Sequence, residues 1–177
     1  MRDIIAPPNT YRRKEGMTSK EEILRLLTKY SRTVDSGDLD GFAELFSNGE
    51  WYVEGTSPSV GSDEIRQAVT SQVIIYDDGT PRTRHVNSNI DIEVDEESGT
   101  ATCQRYVTIL QQTESHPLQV IPSGDYKDSF VKRYGPRPFA STVIRRPFLG
   151  DMRRHIKNTA VVNGYTIDEP EWGMRTT

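Results

Sequence analysis

The feature that most limits what this chain can fold into is a change of hydrophobic period near residue 82. Before it, apolar side chains recur every three or four positions; after it, they alternate. Ile23, Leu26, Leu27, Tyr30 and Val34 share one face of a helix beginning at Thr18. Ser19 is its expected cap, and Glu21 and Glu22 stand in the first turn, where the helix dipole favours carboxylates. Ser36-Gly37-Asp38 breaks that helix. Leu39, Phe42, Leu45 and Phe46 form the apolar stripe of a second, shorter one that closes near Asn48-Gly49. Trp51, Tyr52 and Val53 predict a strand over 50–55, followed by a Gly/Ser/Pro loop up to Gly61. A third helix is expected to be capped by Ser62, with Ile65, Ala68, Val69, Gln72 and Val73 down one side. Asp77-Asp78-Gly79-Thr80-Pro81 stops it.

From Arg84 the period is two. Val86, Ile90, Ile92 and Val94 alternate with His85, Asn87, Asn89, Asp91 and Glu93, and strands are predicted over 84–94, 101–110, 126–134 and 140–148. Short connections make them antiparallel neighbours. The stretch 111–124, with Pro117 and Pro122, reads as a long loop. Helices first and antiparallel strands afterwards is the α+β pattern: three N-terminal helices packed on a curved, mainly antiparallel sheet. Such a cone closes at one end and leaves a pocket of about 300–1,000 Å³ at the other. One domain over 18–156 is expected, with an N-terminal arm at 1–17 and a C-terminal tail at 157–177.

Composition removes several classes. With 22 basic against 26 acidic groups, a net charge of −4 and no concentrated basic stretch, nucleic acid is an unexpected partner. The best apolar run, Val73-Ile74-Ile75-Tyr76, is far short of the roughly 20 residues needed to cross a bilayer. A single cysteine excludes a disulfide framework and a thiolate zinc site, and it places the chain in a reducing compartment, by default the cytoplasm. Cys103 itself reads as a small buried hydrophobe. No Gly-rich phosphate loop, Gly-x-Ser-x-Gly elbow or His-Glu-x-x-His motif is present, so no cofactor is expected. The three histidines, His85, His116 and His155, have no metal-ligand spacing, so no metal is expected either.

The remaining candidates have two readings each. Asp35, just past the first helix, is either a turn carboxylate or a functional acid. His85, at a strand start, is either solvated or lines the pocket, because alternation does not say which face is inside. Tyr30 and Tyr52 are core packing or phenolic donors. Tyr126 and Asp128 share a face and either touch the pocket or pair across strands. Arg145 and Arg146 point to opposite faces, and Arg153-Arg154-His155 reads as a solvated tail.

The ordered pieces Ile23-Leu24 through Tyr30, Val34-Asp35-Ser36-Gly37-Asp38, Phe42-Ala43-Glu44-Leu45-Phe46, Gly61 with Ile65, Thr83-Arg84-His85 with Asn89, and Gly124-Asp125-Tyr126-Lys127-Asp128 resemble the SnoaL-like branch of the NTF2-like superfamily. The resemblance runs over 18–156. Relatives include scytalone dehydratase, hexachlorocyclohexane dehydrochlorinase, bile-acid dehydratase, polyketide cyclases and proteins without known activity. It implies an NTF2-like (cystatin-like) cone with an Asp/His dyad, here Asp35 and His85. The implied activity is a cofactor-independent dehydratase or dehydrohalogenase acting on a small hydrophobic cyclic molecule. Tyr30, Tyr52, Arg146, Tyr126 and Asp128 stand near the substrate in this reading. Scytalone dehydratase has a further His on the next strand; here 101–110 has none, and Val34 stands where that enzyme has a Tyr. The dyad alone is closer to the dehydrochlorinase and the bile-acid dehydratase. Alternatives within the resemblance are an isomerase or cyclase using the same dyad, a ligand-binding protein, and a non-catalytic subunit like the β subunit of ring-hydroxylating dioxygenases, held by a larger partner. A homo-oligomer, dimer or trimer, is implied by the same analogy.

Overall fold

Thr18, rather than Ser19, caps α1 (Ser19–Asp35). Its hydroxyl accepts from the Glu21 N–H while the Glu21 carboxylate takes the Thr18 N–H, a reciprocal capping box that leaves Ser19 as the buried first helical residue. The structure is a computed structural model that describes residues 16–132 and 138–157, without the side chain of Arg146. Of the expected arm and tail, only Gly16, Met17 and Lys157 fall within the described residues. No helix among the described residues is long and apolar enough to cross a membrane.

The second helix is shorter than its apolar stripe: α2 spans Leu39–Glu44, capped by Asp38, and Leu45 and Phe46 follow in turns while still packing inward. Strand β1 (Glu50–Val53) is where the aromatic run predicts it. A short β2 (Ser59–Val60) pairs antiparallel with it inside the expected loop. Helix α3 (Gly61–Gln72) starts without the Ser62 cap; Glu64 reaches back instead to accept the Val60 N–H at 2.9 Å.

Strands β3 (Thr83–Asp95), β4 (Thr100–Thr113), β5 (His116–Val131) and β6 (Phe139–Leu149) form an antiparallel run, and β1 joins the far side of β6 in parallel. The sheet order is β2-β1-β6-β5-β4-β3. The stretch expected as a loop is the tip of a long β4/β5 hairpin. Its prolines are accommodated because each sits at an irregularity: Pro117 falls where the register slips past Gln112, and Pro122 where it slips past Ile109. Proline has no ladder hydrogen to give, and a bulge is where none is required.

A bulge also breaks the alternation of β3. Asn89 and Ile90 together stand opposite Arg105, and Asn89 takes a left-handed φ of 50°. The extra residue reverses the phase of the strand. His85 and Asn87 point inward before it, Ile92 and Val94 after it, while Val86 and Ile90 are exposed and Asn89 leaves the face it was expected to share with His85. The helices cover the concave face, where Ile23, Leu27, Phe42, Phe46 and Ile65 meet Val107, Ile121, Phe130 and Phe139, all of them at most 1% exposed.

Candidate active site

The end of α1 and the start of β3 are brought together by two turns. Gly37, in the turn after α1, has φ +79°, and a Cβ there would stand 1.9 Å from the carbonyl oxygen of Gly79. The Gly79 turn leads through Arg82, itself at φ 56° and held by Asp78, into β3. Only a glycine lets the two turns approach this closely, and their contact sets Asp35 against Thr83 and His85.

Asp35 receives three hydrogen bonds. Its Oδ1 lies 2.6 Å from the Nδ1 of His85 and accepts from the Thr83 hydroxyl at 2.7 Å; its Oδ2 accepts from the His85 backbone N–H at 2.8 Å. Burial opposes ionisation of Asp35, but the bonds from His85 and Thr83 outweigh it and hold the carboxyl below its ordinary pKa. A carboxylate on Nδ1 places the ring proton there and leaves Nε2 as the basic nitrogen.

His85 lines a cavity of about 410 Å³ between the helices and the sheet. Tyr30, Trp51, Tyr52 and Tyr126 supply its aromatic wall; Val69, Ile109, Ile144 and Met152 are among its apolar residues. Thr56, Ser57, Ser59, Gln72 and His155 add polar side chains to that lining, so the cavity joins an apolar wall to hydrogen-bonding groups, as small-molecule sites do. Tyr30 is 2% exposed, and its oxygen accepts from Trp51 Nε1 at 3.1 Å. That bond uses the oxygen as an acceptor and leaves its own O–H to give. Burial raises its pKa to about 12, against the pull of Arg105, so it is a neutral donor.

Under the two tyrosines lies a group that sequence reasoning missed. Arg105, in the middle of β4, has a side chain with 0% exposure, and its guanidinium carbon stands 5.1 Å from the Tyr30 ring and 4.9 Å from that of Tyr126. It bonds both carboxylate oxygens of Asp128, at 2.7 and 3.3 Å, and the Asn87 side-chain oxygen. Thr142 donates to Asp128 at 2.7 Å, and Asn87 donates on to Ser31 at 2.9 Å. The signal was present but ambiguous, since a charged residue at an inward position of a strand normally marks an edge or an error of phase.

The other candidates divide. Tyr30, Tyr52, Tyr126 and His85 line the cavity together, and Asp35 stands behind His85. Asp128, expected at the pocket, is not among the lining residues; its carboxylate is taken up by Arg105 and Thr142. Arg145 pairs with Glu54 on the surface, and the Arg146 side chain lies outside the described residues. His155, expected in a solvated tail, is 7% exposed and lines the cavity. It is there because residues 152–157 fold back on α3: Ile156 bridges to Val73, and the Lys157 N–H donates to Gln72.

Residues 15–136 match the model of the SnoaL-like domain. No curated protein matches the chain. Solved structures share its fold. A variant of Rv3472, a protein of unknown function from Mycobacterium tuberculosis, is 24% identical over 72% of this chain and 70% of its own, with a TM-score of 0.59. An NTF2-like protein with a cystatin-like fold from Novosphingobium aromaticivorans is 19% identical over 72% and 80%, at 0.60. The hexachlorocyclohexane dehydrochlorinase LinA-type3 from Novosphingobium barchaimii is 20% identical over 75% and 92%, at 0.56. At these identities the likeness is one of fold, α+β and cystatin-like.

Proposed function

The chain belongs to the SnoaL-like family, and from that premise we propose that its cavity is the active site of a cofactor-independent lyase. The reaction is loss of water or halide from a small hydrophobic cyclic substrate, begun by proton abstraction. The observation that carries this reading is the Asp35/His85 pair, with Nδ1 of the ring on the carboxylate and the ring itself in the cavity wall.

Each part has a task. Asp35 fixes the tautomer of His85 and stabilises the imidazolium that forms when Nε2 takes a carbon-bound proton. Tyr30, whose oxygen already accepts from Trp51, donates to the oxygen on which charge develops. The aromatic and aliphatic walls hold a ring and exclude water, which strengthens both interactions. Loss of the leaving group then restores a neutral product, and the proton on His85 goes to the departing hydroxide or to solvent. The dehydrochlorinase among the structural neighbours supports an elimination of this kind. An isomerase or cyclase shares the first step and differs in where the carbanion goes.

The test is a panel of halogenated cyclohexanes and cyclic β-hydroxy ketones, assayed for released chloride or for the new double bond. With an active compound in hand, His85→Ala is expected to lower kcat by about 10²–10⁴-fold. Turnover within about tenfold of the unaltered protein sinks the assignment.

A further inference from the structure

His155 is held firmly but has nothing to do in the scheme above. Its backbone N–H donates to the Met152 carbonyl at 2.9 Å, and its own carbonyl accepts from Ile74 at 2.8 Å. The carbonyl before it, on Arg154, accepts from the Gln111 amide at 3.0 Å and from the Tyr76 hydroxyl at 2.7 Å. The ring has no such anchoring. Its Nδ1 is buried without a hydrogen-bond partner among the described residues. Buried polar atoms are nearly always paired, so an unpaired one in the wall of a cavity needs a reason.

The protonation state follows from the surroundings. Burial, and then the positive charge that His85 acquires on protonation, lower the His155 pKa to about 4, with Asp35 acting the other way. The ring is therefore neutral near pH 7 and has one N–H to place. A sealed N–H without an acceptor is rarer and more costly than an unused lone pair, so the proton belongs on Nε2. His155 lines the cavity and its Nδ1 is sealed, whereas Nε2 is not among the buried nitrogens without a partner, which leaves Nε2 as the ring nitrogen that can face the cavity.

We infer that His155 presents an Nε2–H donor to the cavity and binds a carbonyl oxygen of the substrate there. The substrate is then a ketone-type carbonyl compound with its leaving group on the β carbon. This rests on the elimination reading and narrows it. His85 takes the α proton, and the C–H pair forms the enolate C=C bond between the α and carbonyl carbons as the carbonyl π pair moves onto the oxygen held by His155 and Tyr30. Return of that pair re-forms C=O and shifts the enolate pair to between the α and β carbons, and the bond to the β leaving group breaks with its pair on that group. A departing hydroxide takes the proton from His85 and leaves as water; with a departing halide that proton goes to solvent. Nothing is oxidised or reduced. A neutral donor suits the step because a second cation beside the imidazolium of His85 is disfavoured.

The experiment compares a bicyclic ketone, 1-tetralone, with its parent hydrocarbon, tetralin, by calorimetry. The unaltered protein is expected to bind the ketone about 5- to 150-fold more tightly, the range for a buried hydrogen bond left unmade. His155→Phe is expected to reduce that ratio at least about fivefold with no fall in melting temperature, and His155→Gln to retain part of it through its amide N–H. In ¹⁵N spectra of the unaltered protein, His155 is expected as the Nε2–H tautomer, with Nε2 moving when the ketone is added. An unchanged ratio in His155→Phe, no ketone preference in the unaltered protein (binding of neither probe included), or the Nδ1–H tautomer overturns the proposal. The ratio is read without turnover. Failure of His85→Ala to lower kcat therefore refutes the base assignment alone, while failure of the ratio refutes the carbonyl subsite alone.

Discussion

Asp35 and His85 meet twice across fifty positions of sequence, once through the ring Nδ1 at 2.6 Å and once through the backbone N–H at 2.8 Å. The second contact matters as much as the first. It uses the other carboxylate oxygen, so the carboxylate plane is locked relative to the strand that bears the imidazole, and the ring cannot turn without losing a bond.

Asp35→Asn tests what that lock does. An amide keeps the shape, but one of its two ends becomes a donor, and satisfying the backbone N–H with the oxygen turns the NH₂ group toward Nδ1. The ring proton is then driven to Nε2, and the cavity-facing nitrogen ceases to be a base. Activity is expected to fall by about 10²–10⁴-fold. The ¹⁵N spectrum of His85 is expected to change from the Nδ1–H to the Nε2–H form, a readout that mere loss of folding does not mimic.

The Arg105/Asp128 pair makes a stability prediction. Both side chains have 0% exposure, and the pair is completed by Thr142 and Asn87. Arg105→Met leaves a buried carboxylate with only Thr142 as a side-chain donor, and a loss of about 3–5 kcal/mol is expected. Adding Asp128→Leu to it is expected to recover most of that, because removing both charges removes the desolvation cost along with the attraction. Urea unfolding of the single and double variants checks this; a loss under about 1 kcal/mol in the single variant means the carboxylate finds other partners.

Much of this was readable in the sequence, and the failures share a cause. Helices α1 to α3 and the long strands follow from period alone, because each buries a single face. The dyad positions came from the family pattern; their meeting depends on two turns closing at Gly37 and Gly79, which no local pattern reports. A bulge is invisible to alternation: one extra residue at Asn89 turned Val86 outward and left Asn87 facing in. Once that phase is known, Arg105 is seen to point inward opposite the bulge. His155 was missed because its position is set by hydrogen bonds to β4 and to the segment after α3, not by any periodicity of its own.

Gly37 offers a test of the turn contact. Gly37→Ala carries a left-handed backbone cost of about 1–2 kcal/mol and also drives a Cβ against the Gly79 carbonyl. Gly79 has nearly the same φ, +78°, but a Cβ added there would meet no atom within 4 Å, so Gly79→Ala carries the backbone cost alone. Gly37→Ala is therefore expected to be the more destabilising of the two in urea, and to lower kcat as well, because the displaced turn carries β3 away from Asp35. Equal losses in the two variants would show that the turns can move apart without strain.

His155 makes the fold sensitive to mild acid. Its folded pKa of about 4 lies below the ordinary 6.5, so between these values the unfolded chain binds a proton that the folded one refuses. The stability tied to this group is complete above about pH 6.5 and falls as the pH drops toward 4, by roughly 3 kcal/mol in all. Asp35, also lowered on folding, acts in the same direction but further down: its contribution is complete above the ordinary carboxylate range and is lost as the pH falls through its folded value. Urea midpoints measured from pH 8 to pH 4 are expected to decline in the unaltered protein and to decline less in His155→Phe, the difference opening between pH 6.5 and 4. His155→Phe is expected to be no less stable than the unaltered protein at pH 8, because it removes an unpaired buried nitrogen. Parallel midpoint curves across that window would mean that His155 takes up its proton in the folded state, and so that the ring is not sealed as described.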